Sequence, residues 1–154
     1  MSLTGLEVFD TTLQKTNEWL QEIAQEFGTE NRQQAYVALR ATLHTLRERL
    51  PIEETAHLGA QLPMLIRGIY YEGWKPTLEV SKMHRDEFLE HVLDQLEQTA
   101  LADIDPEITV RVVLQILSRK VAPGEVEKLI HVMPADLRDL WPSGENRNTK
   151  VQAV

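Results

Sequence analysis

Apolar side chains recur along the chain at the spacing of amphipathic helices, with a period of about 3.6 residues. The first such stripe consists of Leu6, Phe9, Leu13, Leu20, Ile23 and Phe27. Three more faces consist of Leu39, Leu43, Leu46 and Leu50, then Phe88, Val92 and Leu96, and then Val110, Leu114, Leu117 and Val121. No segment alternates convincingly between apolar and polar residues as a half-buried strand does. The pattern therefore predicts an all-α protein.

Helix-stop, cap and helix-start residues divide these faces into about eight helices. These residues are Gly28, Asn31 with Gln34, Pro51, Pro63, Asp105-Pro106-Glu107, Pro123-Gly124-Glu125 and Pro134. Asn31 with Gln34 has the spacing of a capping box. The third helix is predicted from Ile52 to Gln61, and a short, very apolar fourth helix ends near Tyr71.

The chain resembles itself at an offset of 71 residues, so that residues 39–70 align without gaps with residues 110–141. Seven of the 32 aligned pairs are identical: Arg40/Arg111, Leu43/Leu114, Leu46/Leu117, Glu54/Glu125, Leu58/Leu129, Pro63/Pro134 and Arg67/Arg138. Similarity at a fixed offset predicts two tandem copies of a four-helix unit. A unit of roughly 65 residues has a marginal core by itself, so the two copies are expected to pack on each other.

This repeat gives the expected domain organisation. Residues 1–141 are predicted to form one helical domain made of the repeats 6–71 and 84–141. Residues 72–83 form the predicted linker, which contains a glycine and a proline, and residues 142–154 form a polar tail.

Composition and charge narrow the classes of function. The chain has 154 residues, 16 Lys and Arg against 24 Asp and Glu, a net charge of −8, and no cysteine. The absence of cysteine excludes disulfides, thiolate metal sites and cysteine nucleophiles. The negative charge argues against nucleic acid and anionic membranes as partners, since both attract clustered positive charge. Without a signal-like N-terminus or an apolar run of about 20 residues, a cytoplasmic location is expected.

Repeated charged residues are the first candidates for a structural or functional role. Glu54 with Arg67, and Glu125 with Arg138, are predicted to form ion pairs that join the third helix to the fourth and the seventh to the eighth. The competing partners for the glutamates are Arg40 and Arg111. The functional alternative is an arginine that captures a carboxylate or a phosphate.

Glu54 and His57 have the E-x-x-H spacing that forms half of a ferritin-like di-iron site. A second E-x-x-H is absent from the sequence, and Lys128 occupies the position equivalent to His57 in the other repeat. We therefore predict no metal site and no cofactor. His57 is kept among the candidate binding residues.

Arg40, His44 and Arg47 share the helix face opposite the leucine stripe of the second helix. A solvated, salt-bridged face is the favoured interpretation, and an anion-binding site is the alternative. The acids that would pair with this face are Glu18, Glu22 and Glu26.

The densest aromatic cluster contains Tyr70, Tyr71 and Trp74, with Glu72 between them. Tyr70 aligns with Trp141, which indicates a structural role, whereas Tyr71 and Trp74 have no aromatic counterpart. Trp74 either packs the linker over the core or belongs to a binding patch together with Tyr71 and Glu72, because Tyr and Trp are enriched at interaction hot spots.

Two stretches of the chain resemble a bacterial family of uncharacterised proteins, domain of unknown function 2267. They are ALRATLHTLRERLPIEETAHLGAQLPMLIRGIYYEGWKP and VLQILSRKVAPGEVEKLIHVMPADLRDLW, and the resemblance runs from about Phe9 to Trp141. It implies a small, helical, bacterial and cytoplasmic protein, without an established reaction or a catalytic residue to carry over.

Two hypotheses of function remain. Phosphate loops, dinucleotide-binding motifs, nucleophile elbows and H-E-x-x-H are absent from the sequence, which disfavours an enzyme. The leading hypothesis is a non-enzymatic binding or adaptor protein, whose partner is another protein or a second copy of itself in a homodimer. The alternative is a small-molecule-binding or enzymatic protein with a pocket between the repeats, lined by Arg67, Arg138 or His57.

Overall fold

A computed structural model describes residues 2–77, 82–97, 99, 101 and 103–143 of the chain. Within these residues the chain forms eight α-helices and no strand, which confirms the all-α prediction. The helices are α1 (Glu7–Phe27), α2 (Arg32–Arg49), α3 (Ile52–Gln61), α4 (Met64–Tyr71), α5 (Arg85–Leu96), α6 (Pro106–Lys120), α7 (Pro123–His131) and α8 (Ala135–Arg138).

The helix ends follow the local chemistry of the sequence. Gly28 ends α1 with a φ of 73°, a left-handed conformation that favours glycine. Asn31 caps α2 by accepting a hydrogen bond from the backbone N–H of Gln33 at 2.9 Å. The hydrogen bonds of the described residues do not include the return bond from Gln34 that a full capping box requires. Asp105 caps α6 in the same way as Asn31, through a backbone N–H two residues later.

Helices α2 and α6 form the centre of the molecule. Helix α2 packs against α1, α4, α5 and α6, and α6 packs against α1, α2 and α5. The predicted apolar faces of α2, α5 and α6 are buried as expected. Because α2 has four neighbours, it also buries polar side chains on its other faces: Thr42, His44, Thr45 and Arg47.

Several helix contacts are equivalent in the two halves of the chain. Helix α1 packs on α2 and α6, and α5 packs on α6 and α2, so exchanging the halves preserves these contacts. Helix α3 packs on its counterpart α7. Pro63 and Pro134 precede α4 and α8 with nearly identical backbone angles, φ −56° and ψ 151° against φ −62° and ψ 154°. These equivalences support a pseudo-two-fold arrangement, and the tandem repeat itself stays a prediction.

The apolar stripe of α1 is only partly buried. Ile23 lies in the core, whereas Leu6 and Phe9 are 49% and 47% exposed. The start of the apolar stripe therefore lies at the edge of the core, and its later part faces the interior. Thr12 connects this part of α1 to α4, since its hydroxyl oxygen accepts a hydrogen bond from the backbone N–H of Leu65 at 2.9 Å.

The predicted linker and tail are described only in part. Residues 72–77 and 82–84 contain no helix, and residues 78–81 of the linker and 144–154 of the tail lie outside the described residues. Met83 is buried, and its carbonyl oxygen accepts a hydrogen bond from Arg49 Nε at 3.0 Å. None of the helices in the described ranges combines the length and the apolar character that crossing a membrane requires.

Candidate functional site

The aromatic cluster is a stack that runs from the core toward the surface. Tyr70 is fully buried, and its hydroxyl donates a hydrogen bond to the carbonyl oxygen of Thr55 at 2.9 Å. Burial raises the pKa of the Tyr70 hydroxyl, so it stays protonated. The rings of Tyr70 and Tyr71 are 4.9 Å apart between centroids, and those of Tyr71 and Trp74 are 5.4 Å apart. The three aromatic side chains are thus packed as one unit.

Trp74 is half-buried and Glu72 is exposed at the end of this stack. Trp74 lines a cavity of about 300 Å³ together with Arg47, Leu50 and Ile52. Its place beside both the core and a cavity leaves the two interpretations of Trp74 open, and the binding role of Tyr71, Glu72 and Trp74 stays a prediction.

The prediction that Arg40, His44 and Arg47 form a solvated face is wrong for His44 and Arg47, which are buried. Arg47 Nη1 donates hydrogen bonds to the carbonyl oxygens of Tyr70 at 2.6 Å and Glu72 at 2.7 Å. His44 Nε2 lies 2.7 Å from the carbonyl oxygen of Ile69, and burial lowers the pKa of the His44 imidazole. Both side chains therefore bind carbonyl groups at the C-terminal end of α4, which lack partners inside that helix.

The ion pairs predicted for Arg67 and Arg138 are replaced by hydrogen bonds to the backbone. Arg67 donates to the carbonyl oxygens of Gly59 at 2.8 Å and Leu62 at 2.9 Å. Arg138 donates to that of Met133, the residue equivalent to Leu62, at 3.0 Å. In the part of the chain that the structure describes, neither arginine has an ion pair with a glutamate. Each arginine is instead satisfied by free carbonyls at the turn that precedes its own helix.

Arg111 contacts other groups than the repeated glutamates for which it was predicted to compete. Its Nε lies 3.2 Å from Glu107 Oε2, and its Nη1 donates to the carbonyl oxygen of Asp139 at 2.7 Å. Arg85 forms ion pairs with the same two acids, Glu107 and Asp139. This exposed charge network joins α5 and α6 to the end of α8. Arg40, the equivalent of Arg111, is half-buried on α2.

Glu54, His57 and Glu125 lie together where α3 packs on α7. His57 Nδ1 is 3.9 Å from Glu54 Oε2, and one ligand atom from each of the three side chains lies within 4.8 Å of the other two. Glu54 Oε2 and Glu125 Oε1 are both buried, and neither accepts a hydrogen bond within the described residues. Two buried carboxylate oxygens are therefore close together without a donor.

The electrostatics of this cluster agree with its geometry. Burial is the main cause that raises the pKa of the Glu125 carboxyl, and the nearby charge of Glu54 raises it further. Electrostatic interactions with His57 and Lys128 lower the pKa of the Glu125 carboxyl. Burial and the proximity of Glu54 therefore both disfavour the ionised form of Glu125, and a bound cation would favour it.

Glu125 is the residue of this cluster that the sequence analysis did not connect to the E-x-x-H pattern. A di-iron site needs a second complete E-x-x-H, whereas the structure brings a single carboxylate from α7 to Glu54 and His57. The available signal was the equivalence of Glu54 and Glu125 in the internal repeat. Equivalent residues near a pseudo-two-fold axis meet each other, so a repeated acid on α3 and α7 pointed to this contact.

A second surface feature lies between α1 and α4. Leu6, Val8, Pro63 and Met64 line a groove of about 580 Å³, and Leu6, Val8 and Met64 are each 49% exposed. We call this groove the α1–α4 surface. Large apolar side chains that are exposed next to one another often mark an interaction site. The sequence analysis placed Leu6 on the apolar stripe of a helix and did not anticipate this surface.

Taken together, these observations define a small protein that is all-helical over its described residues. Residues 16–140 match the family described as uncharacterized conserved protein (DUF2267), and the chain belongs to this family. The match confirms the family predicted from the sequence. No curated protein matches the chain.

Proposed function

We propose that the protein is a non-enzymatic binding protein that self-associates, with a second copy of the chain docking on the α1–α4 surface. The observation that carries this proposal is the groove lined by Leu6, Val8, Pro63 and Met64, in which three of the four apolar side chains are half exposed. Covering such side chains removes apolar area from water at about 25 cal/mol per Å². A partner that covers this surface therefore gains favourable free energy.

The charges on the same surface favour a second copy as the partner. Glu7 and Lys15 also line the groove, and Thr11 lies midway between them on α1. A two-fold axis near Thr11 brings the α1 helices of two copies together in antiparallel orientation, with Glu7 of each opposite Lys15 of the other. In the described part of the chain neither Glu7 nor Lys15 has an ion-pair partner, so both are available to a second copy.

Sedimentation velocity at several protein concentrations tests this proposal. We expect the wild-type chain to form a dimer, and Glu7→Lys or Lys15→Glu alone to weaken it because each places like charges opposite one another. The double variant Glu7→Lys/Lys15→Glu restores opposite charges and should recover the dimer. A Met64→Lys change in the apolar groove should also weaken association, because a charge would then be buried at the interface.

Trp74→Ala is the control for the other candidate surface. It lies outside the α1–α4 surface, so the dimer should persist in this variant. A wild-type chain that stays monomeric at all concentrations would contradict the proposal. If Trp74→Ala abolishes association while its thermal unfolding is unchanged, the aromatic cluster is the docking site instead.

A further inference from the structure

The contact between α3 and α7 brings three metal-ligating side chains together from two distant parts of the sequence. Glu54 and His57 are one turn apart on α3, and Glu125 lies in the first turn of α7. These are one nitrogen and two oxygen ligands, a set that divalent transition metals such as Zn²⁺ accept. In contrast to a solvated acidic patch, each of the two carboxylates has a buried oxygen: Glu54 Oε2 and Glu125 Oε1.

The spacing of the three groups fits a single ion. A metal with bonds of about 2.1 Å in tetrahedral geometry holds its ligand atoms about 3.4 Å apart. The ligand atoms lie within 4.8 Å of one another, and His57 Nδ1 lies 3.9 Å from Glu54 Oε2. Side-chain rotations that move the ligand atoms by less than about 1.5 Å would therefore bring all three atoms into bonding distance of one metal ion. The His57 side chain is 46% exposed, which gives an ion and its remaining water ligands access from solvent.

Packing of α3 on α7 does not by itself explain Glu54 and Glu125, because each has a buried oxygen without a hydrogen-bond donor among the described residues. A buried carboxylate oxygen without a partner costs free energy, and Glu54 and Glu125 each have one. A cation bound by both carboxylates compensates the negative charge of Glu54 and of Glu125 at once.

We propose that Glu54, His57 and Glu125 form a binding site for one divalent transition-metal ion between the two halves of the chain. Water completes the coordination on the exposed side of His57. The site joins α3 to α7, so bound metal links the two halves. This inference rests on α3 and α7 alone and does not depend on self-association of the protein.

Isothermal titration calorimetry of the metal-free protein with ZnCl2 tests the site. A titration with MnCl2, monitored by electron paramagnetic resonance, provides a second probe. We expect saturation at one ion per chain and a metal-induced rise in the midpoint of thermal unfolding. Glu125→Gln removes one ligand with almost no change in shape. It should weaken binding at least about tenfold and reduce the rise in midpoint at the same zinc concentration.

His91→Ala is the matched control variant. His91 Nδ1 lies 3.8 Å from Glu48 Oε2, and both side chains are about half exposed, but no further acid completes a cluster with them in the described residues. His91→Ala should leave binding unchanged, whereas His57→Lys, which copies the equivalent Lys128, should remove it.

Three results would overturn the proposal. The first is the absence of saturable binding at one ion per chain, in which case a proton or the ammonium group of Lys128 compensates the two glutamates. The second is an equal loss of affinity in His91→Ala and Glu125→Gln, which indicates dispersed surface binding. The third is wild-type affinity in Glu125→Gln, provided that this variant unfolds at the same midpoint as the wild-type protein without metal.

Discussion

At the scale of single residues, Gly59 and Gly68 show how an identical change can have opposite effects. Both glycines lie inside helices, where alanine is favoured over glycine by up to about 1 kcal/mol. A Cβ atom added at Gly59 would lie 2.1 Å from the hydroxyl oxygen of Tyr71 and 2.6 Å from its ring, whereas a Cβ atom at Gly68 has no neighbour within 4 Å. Close packing of Tyr71 thus requires glycine at position 59.

Gly59→Ala is expected to lower the free energy of unfolding by about 1–3 kcal/mol, because the Tyr71 ring must leave its place in the aromatic stack. Gly68→Ala, the control, should raise it by about 0.5–1 kcal/mol through helix propensity alone. Urea unfolding monitored by circular dichroism measures both. If Gly59→Ala is as stabilising as Gly68→Ala, close packing of the Tyr71 ring does not require glycine at position 59.

At the scale of helices, the sequence predicts the helices and their buried apolar faces well, and the partners of their polar side chains less well. Periodic apolar residues and local caps predicted α3 at its observed bounds and the buried faces of α2, α5 and α6, since these signals act within one helix. The role of Arg47 could not be predicted, because it depends on carbonyl groups more than 20 residues later in the chain. A polar face looks the same in the sequence whether it meets water or the end of another helix.

The contribution of Arg47 to α4 leads to a prediction. Arg47→Met should lower the free energy of unfolding by at least about 2 kcal/mol, because two carbonyl groups lose a charged donor. Arg40→Met, two turns earlier on the same face of α2, is the control and should cost less. Urea unfolding gives both values, and hydrogen exchange at the end of α4 should rise only in Arg47→Met. Equal costs for the two variants would mean that the Arg47 bonds add no net stability.

At the scale of the whole molecule, the two halves share one core. Helix α1 of the first half packs on α6 of the second, and α5 of the second packs on α2 of the first. The internal repeat predicted that the halves pack together, but it could not predict which residues meet at their contact. The cluster of Glu54, His57 and Glu125 follows from that contact. The α1–α4 surface follows in the same way from the position of α1 at the edge of the core.

A shared core predicts that the protein unfolds as one cooperative unit. Trp19 in α1 and Trp141 after α8 are both buried, and they report on the first and the second half of the chain. In variants that keep only one of these tryptophans and replace the others with phenylalanine, the midpoint of urea unfolding from tryptophan fluorescence should coincide with the midpoint from circular dichroism of the same variant. Leu43→Ala or Leu114→Ala, each at a fully buried site, should cost about 2–5 kcal/mol.

The position of these changes is what makes the experiment decisive. Leu114→Ala lies in the second half, so a shared core requires that it lower the midpoint reported by Trp19 as much as the midpoint reported by Trp141. Leu43→Ala lies at the equivalent site of the first half, and it must likewise lower the midpoint reported by Trp141 as much as the midpoint reported by Trp19. If each change shifts only the tryptophan of its own half, the halves unfold independently. The contacts of α1 with α6 and of α5 with α2 would then contribute too little free energy to couple them.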